Sequence, residues 1–246
     1  MELTILGNRS PYPMKEGGCS SYLLQVKEQN FLLDIGSGTL QNLNQVIDYH
    51  QLDGVVISHL HEDHWLDLYP LHYAVKRNIK KGLREEPLPV YLPFSEGPEL
   101  DYIQNKLGAE YQLQPIAAGE DLDLGPIEVE FKLTEHSKEC YALRIKGVAQ
   151  EIGYTADTGE VKSLVEFLTG VDLLLTEATL LPEDDQPDLP HLTINEAVDL
   201  GDKTKARKTV LTHLGSEYSR QEIKESLPAT SSKVEVSKVL ASYNLD

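Results

Sequence analysis

Segment 59–64 reads His-Leu-His-Glu-Asp-His and directly follows a run of β-branched apolar residues. Side chains two positions apart on an extended backbone point to the same side, so His59 and His61 can bind one metal ion together. Asp63 and His64 come one turn later, where the predicted strand gives way to a helix, and they can serve a second ion. The glutamate between them is expected to point away. Four candidate ligands within six positions therefore predict a metal site.

Further candidate ligands come after other predicted strands. His136 lies in KLTEHSKECYALRI, Asp157 in YTADTG and His213 in TVLTHLG. A carboxylate can bridge two cations and reduce their repulsion, so Asp157 is the candidate bridge, although an aspartate before Thr-Gly is also a common turn residue. His50 and His72 fall at the end of one predicted helix and inside another, and we interpret both as surface or packing residues.

Apolar runs of strand length alternate with segments of helix length, which predicts an α/β (α+β) fold. The predicted strands are 3–6, 21–26, 31–35, 54–58, 90–92, 127–131, 141–145, 151–155, 172–176 and 209–212. The predicted helices are 39–50, 64–80, 97–107, 160–169, 193–206 and 219–227. Thr193 stands three residues before Glu196, the spacing of a capping box. Polar residues at the ends of neighbouring strands can converge on one site.

No linker or low-complexity tract divides the chain, so one domain over residues 1–246 is expected. An internal similarity suggests two related halves, approximately 1–115 and 116–246. In the first half FLLDIGSG is followed by a helical stretch and LDGVVISH, and in the second half EIGYTADTG is followed by a helical stretch and GVDLLLTE. Chance likeness of two strand–helix units is the alternative explanation.

The composition limits the partners and the compartment. Lys and Arg number 22 against 40 Asp and Glu, a net charge of −18, so a nucleic-acid partner is not expected without a local basic patch or metal ions. Cys19 and Cys140 are far apart and form no CxxC pair, which suits a reducing compartment. No apolar run is long enough to span a membrane. We expect a cytoplasmic protein without a membrane segment.

The combined motifs resemble those of the metallo-β-lactamase-fold hydrolases. The resemblance rests on His-x-His-x-Asp-His at 59–64, a later His, an Asp before Thr-Gly and a final His before Leu, and it extends to Asp34-x-Gly36. It implies a four-layer αβ/βα sandwich of two mixed sheets with helices outside, and two Zn²⁺ per chain, with Mn²⁺ or Fe as alternatives. The implied ligands are His59, His61 and His136 for the first ion, Asp63, His64 and His213 for the second, and Asp157 as the bridge. His61 stands where flavo-di-iron relatives tend to carry Glu, which favours hydrolysis.

Two further stretches, LLTEATL (174–180) and HLTINEAVDLG (191–201), resemble the ribonuclease Z and phosphodiesterase branch. The resemblance implies that His191, at a helix start, donates a proton to a departing oxygen. It implies that Glu177 orients His191 or a metal ligand, and that Asp63 takes part in catalysis. The alternative for His191 is a helix-start residue without a catalytic role.

The chain departs from ribonuclease Z because only residues 137–156 lie between His136 and Asp157, where that enzyme carries a long arm that binds transfer RNA. The sequence therefore predicts a dinuclear metal-dependent hydrolase, a phosphodiesterase that acts on a small or cyclic nucleotide-like ester through a metal-bridging hydroxide. The alternatives are a ribonuclease Z-like endoribonuclease, a carboxyl-ester or lactone hydrolase, and a metal-binding scaffold without activity. Relatives often form homodimers, but no segment of this sequence marks an interface.

Overall fold

The computed structural model describes residues 1–159, 161–184, 189–228 and 233–245. The strands among these residues are β1 (Glu2–Ser10), β2 (Gly18–Cys19), β3 (Ser21–Val26), β4 (Gln29–Ile35), β5 (Gly54–Val56), β6 (Leu88–Leu92), β7 (Tyr111–Pro115), β8 (Leu122–Asp123), β9 (Glu128–Leu133), β10 (Tyr141–Lys146), β11 (Glu151–Tyr154), β12 (Leu173–Glu177), β13 (Lys208–Thr212), β14 (Leu214–Gly215), β15 (Val234–Val236) and β16 (Ser242–Asn244). The helices are α1 (Leu40–Val46), α2 (Glu62–Trp65), α3 (Leu68–Lys80), α4 (Pro98–Tyr102), α5 (Lys162–Phe167), α6 (Ile194–Thr204) and α7 (Arg220–Glu225). Tyr49–Gln51 and Pro182–Asp184 form 3₁₀ turns, and Ile103–Leu107 forms a π-helical turn.

The described strands form two mixed sheets. In the first sheet the order is β14-β1-β3-β4-β5-β6-β7, and β2 and β16 also pair with β1. In the second sheet the order is β15-β13-β12-β11-β10-β9-β8. Strands β4 to β7 run parallel in the first sheet, and β11, β12, β13 and β15 run parallel in the second. Parallel strands need covered faces, and the helices supply that cover.

Each sheet is buried on both faces. Tyr22 and Leu24 point into the core between the sheets, whereas Leu23, between them in β3, packs with the residues under α3, as strand geometry requires. The second sheet faces the same central core through β10 and β12, and its outer face packs on α5 and α6 through Leu164 and Ala197. Helix, sheet, sheet and helix are therefore stacked in that order, which confirms the predicted four-layer αβ/βα sandwich.

All ten predicted strands are present, with ends displaced by up to four residues, and the capping box at Thr193 is confirmed. The prediction of one helix over 64–80 is wrong, because α2 and α3 are separate. The backbone N–H of Asp67 donates to the carbonyl of Ile35 at 3.1 Å instead of continuing the helix, so the chain breaks there. The predicted helix 160–169 corresponds to α5, and its residue 160 lies outside the described residues. In the described parts, no helix has the length and apolar character to cross a membrane.

Candidate metal centre

The chemistry-bearing residues follow the carboxyl ends of strands in both sheets. His59 comes after β5, Asp157 after β11, and His213 directly after β13. Parallel strands place their carboxyl ends at one edge of a sheet, and the two packed sheets bring these edges together. The site therefore lies where the loops of both sheets meet.

Backbone conformations at this edge are unusual. Asp34, Ala156 and His213 have φ of 55°, 50° and 50°, in the left-handed region that residues with a Cβ rarely adopt. Each lies at or just after the end of a strand. Such conformations are costly and persist only where the surrounding structure holds them, typically at functional sites.

Three histidines form the first group of converging donors. His61 Nδ1 lies 3.0 Å from Nε2 of His59 and 2.9 Å from Nε2 of His136. Two nitrogen ligands of a tetrahedral zinc ion lie roughly 3.3 Å apart, given Zn–N distances of about 2.0–2.1 Å. The outward nitrogens are held by protein atoms: His59 Nδ1 is 3.1 Å from Ser58 Oγ, and His136 Nδ1 is 3.2 Å from the Pro190 carbonyl. This group suits a metal ion.

Asp63, His64 and His213 form the second group. The Nε2 atoms of the two histidines are 3.1 Å apart. Asp63 Oδ2 lies 3.4 Å from Nε2 of His213 and 3.8 Å from Nε2 of His64. The outward nitrogens again have partners, since His64 Nδ1 is 2.8 Å from Asp34 Oδ2 and His213 Nδ1 is 2.9 Å from Thr179 Oγ1. Such partners orient imidazoles toward a metal and are typical of metal sites.

Asp157 lies between the two groups. Its Oδ1 is 3.3 Å from Nε2 of both His64 and His213, whereas its Oδ2 is 3.5 Å from Nε2 of His59 and 3.7 Å from Nε2 of His136. The carboxylate is almost fully buried, and its Oδ1 has no hydrogen-bond partner among the described residues. A buried oxygen without a partner is rare in proteins, and a cation would satisfy it. The residues present therefore fit metal ions on either side of Asp157.

A model of the β-lactamase superfamily domain matches residues 29–214, a range that includes Asp157 and every residue of both groups. The chain belongs to the β-lactamase superfamily. A probable metallo-hydrolase, YhfI of Bacillus subtilis (strain 168), is 32% identical over 218 residues, which are 87% of either chain. The crystal structure of the metallo-β-lactamase fold protein YhfI from Bacillus subtilis has a TM-score of 0.91 to this chain, with 26% identity and 98% of each chain covered.

Two other similar proteins are more distant. A ribonuclease Z of Pyrococcus horikoshii is 25% identical over 279 residues, covering 92% of this chain and 90% of its own. A diphosphatase from the PhnP family shares the fold, with a TM-score of 0.80, 21% identity, and 100% of this chain and 98% of its own covered. This member of the β-lactamase superfamily is a metal-dependent hydrolase with the metallo-β-lactamase fold.

In this superfamily member, Asp34 supports the second group in a way that sequence reasoning missed. Its buried carboxylate accepts hydrogen bonds from Ser58 N at 2.7 Å, Ser58 Oγ at 2.9 Å and Tyr154 OH at 2.7 Å, besides its contact with His64. The Asp34-x-Gly36 motif was part of the resemblance, but no role was assigned to it. An acidic residue inside the apolar strand FLLDI was the available signal. Ser10 was also missed, and its Oγ donates to Asp63 Oδ2 at 3.2 Å.

Glu177 and His191 lie beside the two groups. His191 Nδ1 is 3.1 Å from Glu177 Oε1, and the imidazole ring stacks on that of His213 with centroids 5.5 Å apart. Glu177 is fully buried and also accepts from Thr158 N at 2.6 Å and Thr179 Oγ1 at 2.6 Å. Glu177 therefore links His191 to the hydroxyl that holds His213.

Burial and neighbouring charges determine the protonation of the candidate ligands. Burial lowers the pKa of His61 to about 4 and also lowers that of His136, so both imidazoles are neutral donors at pH 7. Burial would raise the pKa of Asp63, but His64 and its neighbour His213 hold that pKa at about 2. Burial would lower the pKa of His64, but Asp157, Asp63 and Asp34 raise it well above its usual range, so this imidazole gives up a proton when it binds a cation. The first group therefore offers neutral imidazoles, and the second offers an ionised carboxylate beside a protonated histidine.

Two histidines predicted to lie outside the site do so. His72 is buried in α3 with its Nδ1 3.1 Å from Glu110 Oε2, and His50 lies in the 3₁₀ turn after α1. Neither belongs to a group of metal-binding side chains in the described parts of the chain. Glu62 is exposed and, among the described residues, belongs to no group of metal-binding side chains, but it lines the cavity beside them.

Proposed function

We propose that this hydrolase is a phosphodiesterase that cleaves a small or cyclic nucleotide-like phosphodiester with two bound metal ions. The observation that carries the proposal is the placement of His191. This histidine lines a cavity of about 260 Å³ together with Asp63 and Asp157, while its Nδ1 is bound to Glu177. An acid held beside a metal centre is what a phosphodiester with a poor leaving group needs.

In this proposal the two groups and Asp157 hold the ions. His59, His61 and His136 would hold one ion, Asp63, His64 and His213 would hold the other, and Asp157 would lie between them. Zn²⁺ is the expected metal, because imidazole nitrogen and carboxylate oxygen are its usual donors. When bound, such ions polarise a phosphoryl oxygen and lower the pKa of water to ~7.

His191 supplies a proton to the departing oxygen in this proposal. Burial would lower the pKa of His191, but the Glu177 carboxylate raises it to about 9, so the imidazole is protonated at pH 7. Because Nδ1 faces Glu177, Nε2 is the atom that donates to the substrate. Glu177 holds the ring in this orientation and is itself fixed by Thr158 and Thr179.

Similar proteins support phosphorus–oxygen chemistry. The names ribonuclease Z and diphosphatase both describe cleavage of such bonds. A ribonuclease Z-like activity is less well supported. Residues 137–156, where the transfer-RNA arm would be inserted, form β10 and β11 with their short connections. The net charge of −18 also repels the RNA backbone. We expect no gel shift with precursor transfer RNA.

A substrate panel tests the proposal. The purified metal-loaded protein should hydrolyse bis(4-nitrophenyl) phosphate and a cyclic nucleotide faster than a lactone or a thioester. Preference for the lactone or the thioester would assign the metal centre to carboxyl-ester hydrolysis instead. Absence of turnover on both phosphodiesters at full metal content would overturn the proposed phosphodiesterase activity.

The variant His191→Ala tests the role of His191. We expect kcat on a phosphodiester with an alkoxide leaving group to fall roughly 10²–10⁴-fold, the range for a lost general acid. The loss should shrink for a nitrophenolate leaving group, which departs without a proton. His50→Ala is the matched control, because His50 lies away from the centre. Equal losses on both substrates would instead assign His191 to phosphate positioning.

A further inference from the structure

A second cavity, of about 610 Å³, adjoins the metal centre, and Glu62 lines both. Trp65, Tyr69 and Tyr102 are the aromatic residues among those that line it. The metal-centre cavity, at about 260 Å³, is below the ~300–1,000 Å³ typical of ligand sites, whereas the second cavity falls within that range. A nucleotide-sized substrate held at the metal centre can therefore place its remaining part in this neighbouring cavity.

The aromatic residues of the second cavity form an open, apolar surface. The ring centroids of Tyr69 and Tyr102 are 6.3 Å apart with planes inclined by 36°, and Tyr102 lies 6.2 Å from Trp65. Tyr69 is 41% exposed and Tyr102 39%, although exposed aromatic rings are unfavourable in water. A flat ring stacked on these tyrosines would cover that surface.

The polar group of this cavity is an acceptor. Among the described residues, the exposed Glu62 side chain has no ion pair or hydrogen bond, whereas Glu99, which also lines the cavity, is paired with Lys138 at 2.7 Å. An ionised carboxylate accepts hydrogen bonds and cannot donate them. Glu62 therefore selects a ring that carries N–H donors and repels an anionic one.

We propose that this aromatic cavity binds the base of the substrate, a flat heteroaromatic ring with N–H donors, such as an aminopurine. The ring stacks on Tyr69 and Tyr102 and donates to Glu62, while the phosphodiester lies at the metal centre. This inference rests on the proposed phosphodiesterase activity and names the substrate class. A cage for a quaternary ammonium ion would need ring faces on several sides, but Trp65 is only 4% exposed and offers little of its face.

The fluorescence of Trp65, the sole tryptophan of the chain, reports binding without any turnover. Titration with adenosine should change this emission, whereas ribose and choline should leave it unchanged. Tyr102→Ala and Tyr69→Ala should each weaken adenosine binding about 5- to 100-fold, the effect of losing one base–aromatic stack. Tyr12→Ala is the matched control, because Tyr12 is an exposed tyrosine that lines neither cavity.

The role of Glu62 is separable from stacking. Adenosine should bind more tightly than N6,N6-dimethyladenosine, which lacks the amino donors, and Glu62→Leu should abolish that difference. An emission change with choline, or equal adenosine affinity in wild type, Tyr102→Ala and Tyr69→Ala, would overturn the base site. Adenosine binding without phosphodiester hydrolysis would overturn only the proposed activity, and hydrolysis without adenosine binding would overturn only the base site.

Discussion

Asp157 is an almost fully buried carboxylate that faces four imidazoles through its two oxygens. Burial would raise the pKa of Asp157, but the neighbouring His213 and His64 hold it well below its usual range. An ionised carboxylate here reduces the repulsion between two cations, which the imidazoles alone cannot do. We therefore expect this residue to determine how many ions the centre binds.

The variant Asp157→Ala should lose at least one of two metal ions per chain, because the bridging oxygens are gone. The metal content of purified wild type and variant, measured by elemental analysis, checks this expectation. Glu62→Gln is the matched control, since it removes a nearby carboxylate that lies outside both groups of ligands, and it should keep two ions. Two ions bound to Asp157→Ala with wild-type affinity would disprove the bridging role.

At the scale of elements, the end of β4 packs directly against α2. A Cβ atom on Gly36 would lie 2.0 Å from the Asp63 carbonyl and 2.8 Å from Cys19 Cβ. Backbone atoms this close cannot accept a methyl group without moving. Because α2 carries Asp63 and His64, the glycine determines where the second group of donors lies.

Gly36→Ala should therefore displace α2, lower the melting temperature and weaken binding of the second ion. Overpacking costs about 1–3 kcal/mol, which for a chain of this size corresponds to roughly 2–12 °C. Thermal unfolding and metal titration measure the two effects. Gly147→Ala is the control, because a Cβ there has its nearest contact at 3.3 Å, far from the centre. A Gly36→Ala protein with unchanged melting temperature and metal affinity would contradict the predicted clash.

For the whole molecule, the metal centre connects the two sheets. The loop after β5 of the first sheet supplies His59 to His64, and the second sheet supplies His136, Asp157 and His213. Residues up to Pro115 form β1 to β7, later residues form the second sheet, and β14 and β16 return to the first. That the chain forms a single domain of two related halves, 1–115 and 116–246, stays a prediction.

Removal of metal should lower the melting temperature and abolish activity, because ions bound only to the folded site stabilise it by mass action. An ion present at 1,000 times its Kd contributes about 4 kcal/mol, or roughly 8–16 °C for a chain of this length. Thermal unfolding with and without a chelator measures the shift, and adding Zn²⁺ back should reverse it. Asp157→Ala should shift less. An unchanged transition after complete removal would place the ions outside the structural core.

The sequence by itself determined the features that depend on local backbone geometry. Residue spacing in segment 59–64 brings ligands together within one strand end and one helical turn, whatever the rest of the chain does. Apolar runs of strand length predicted the strands, and Thr193 with Glu196 predicted the start of α6. The ligand candidates His136, Asp157 and His213 were recognisable because each follows a strand.

Only the tertiary structure decided which atoms meet across the chain. Asp34 contacts His64 and Tyr154, which are 30 and 120 positions away, and no spacing rule predicts such pairs. The break at Asp67 depends on a carbonyl of β4, and the aromatic cavity exists because α4 packs beside α2 and α3. The physical reason is that these contacts depend on how two sheets and their helices pack, and packing is set by the summed burial of many distant side chains.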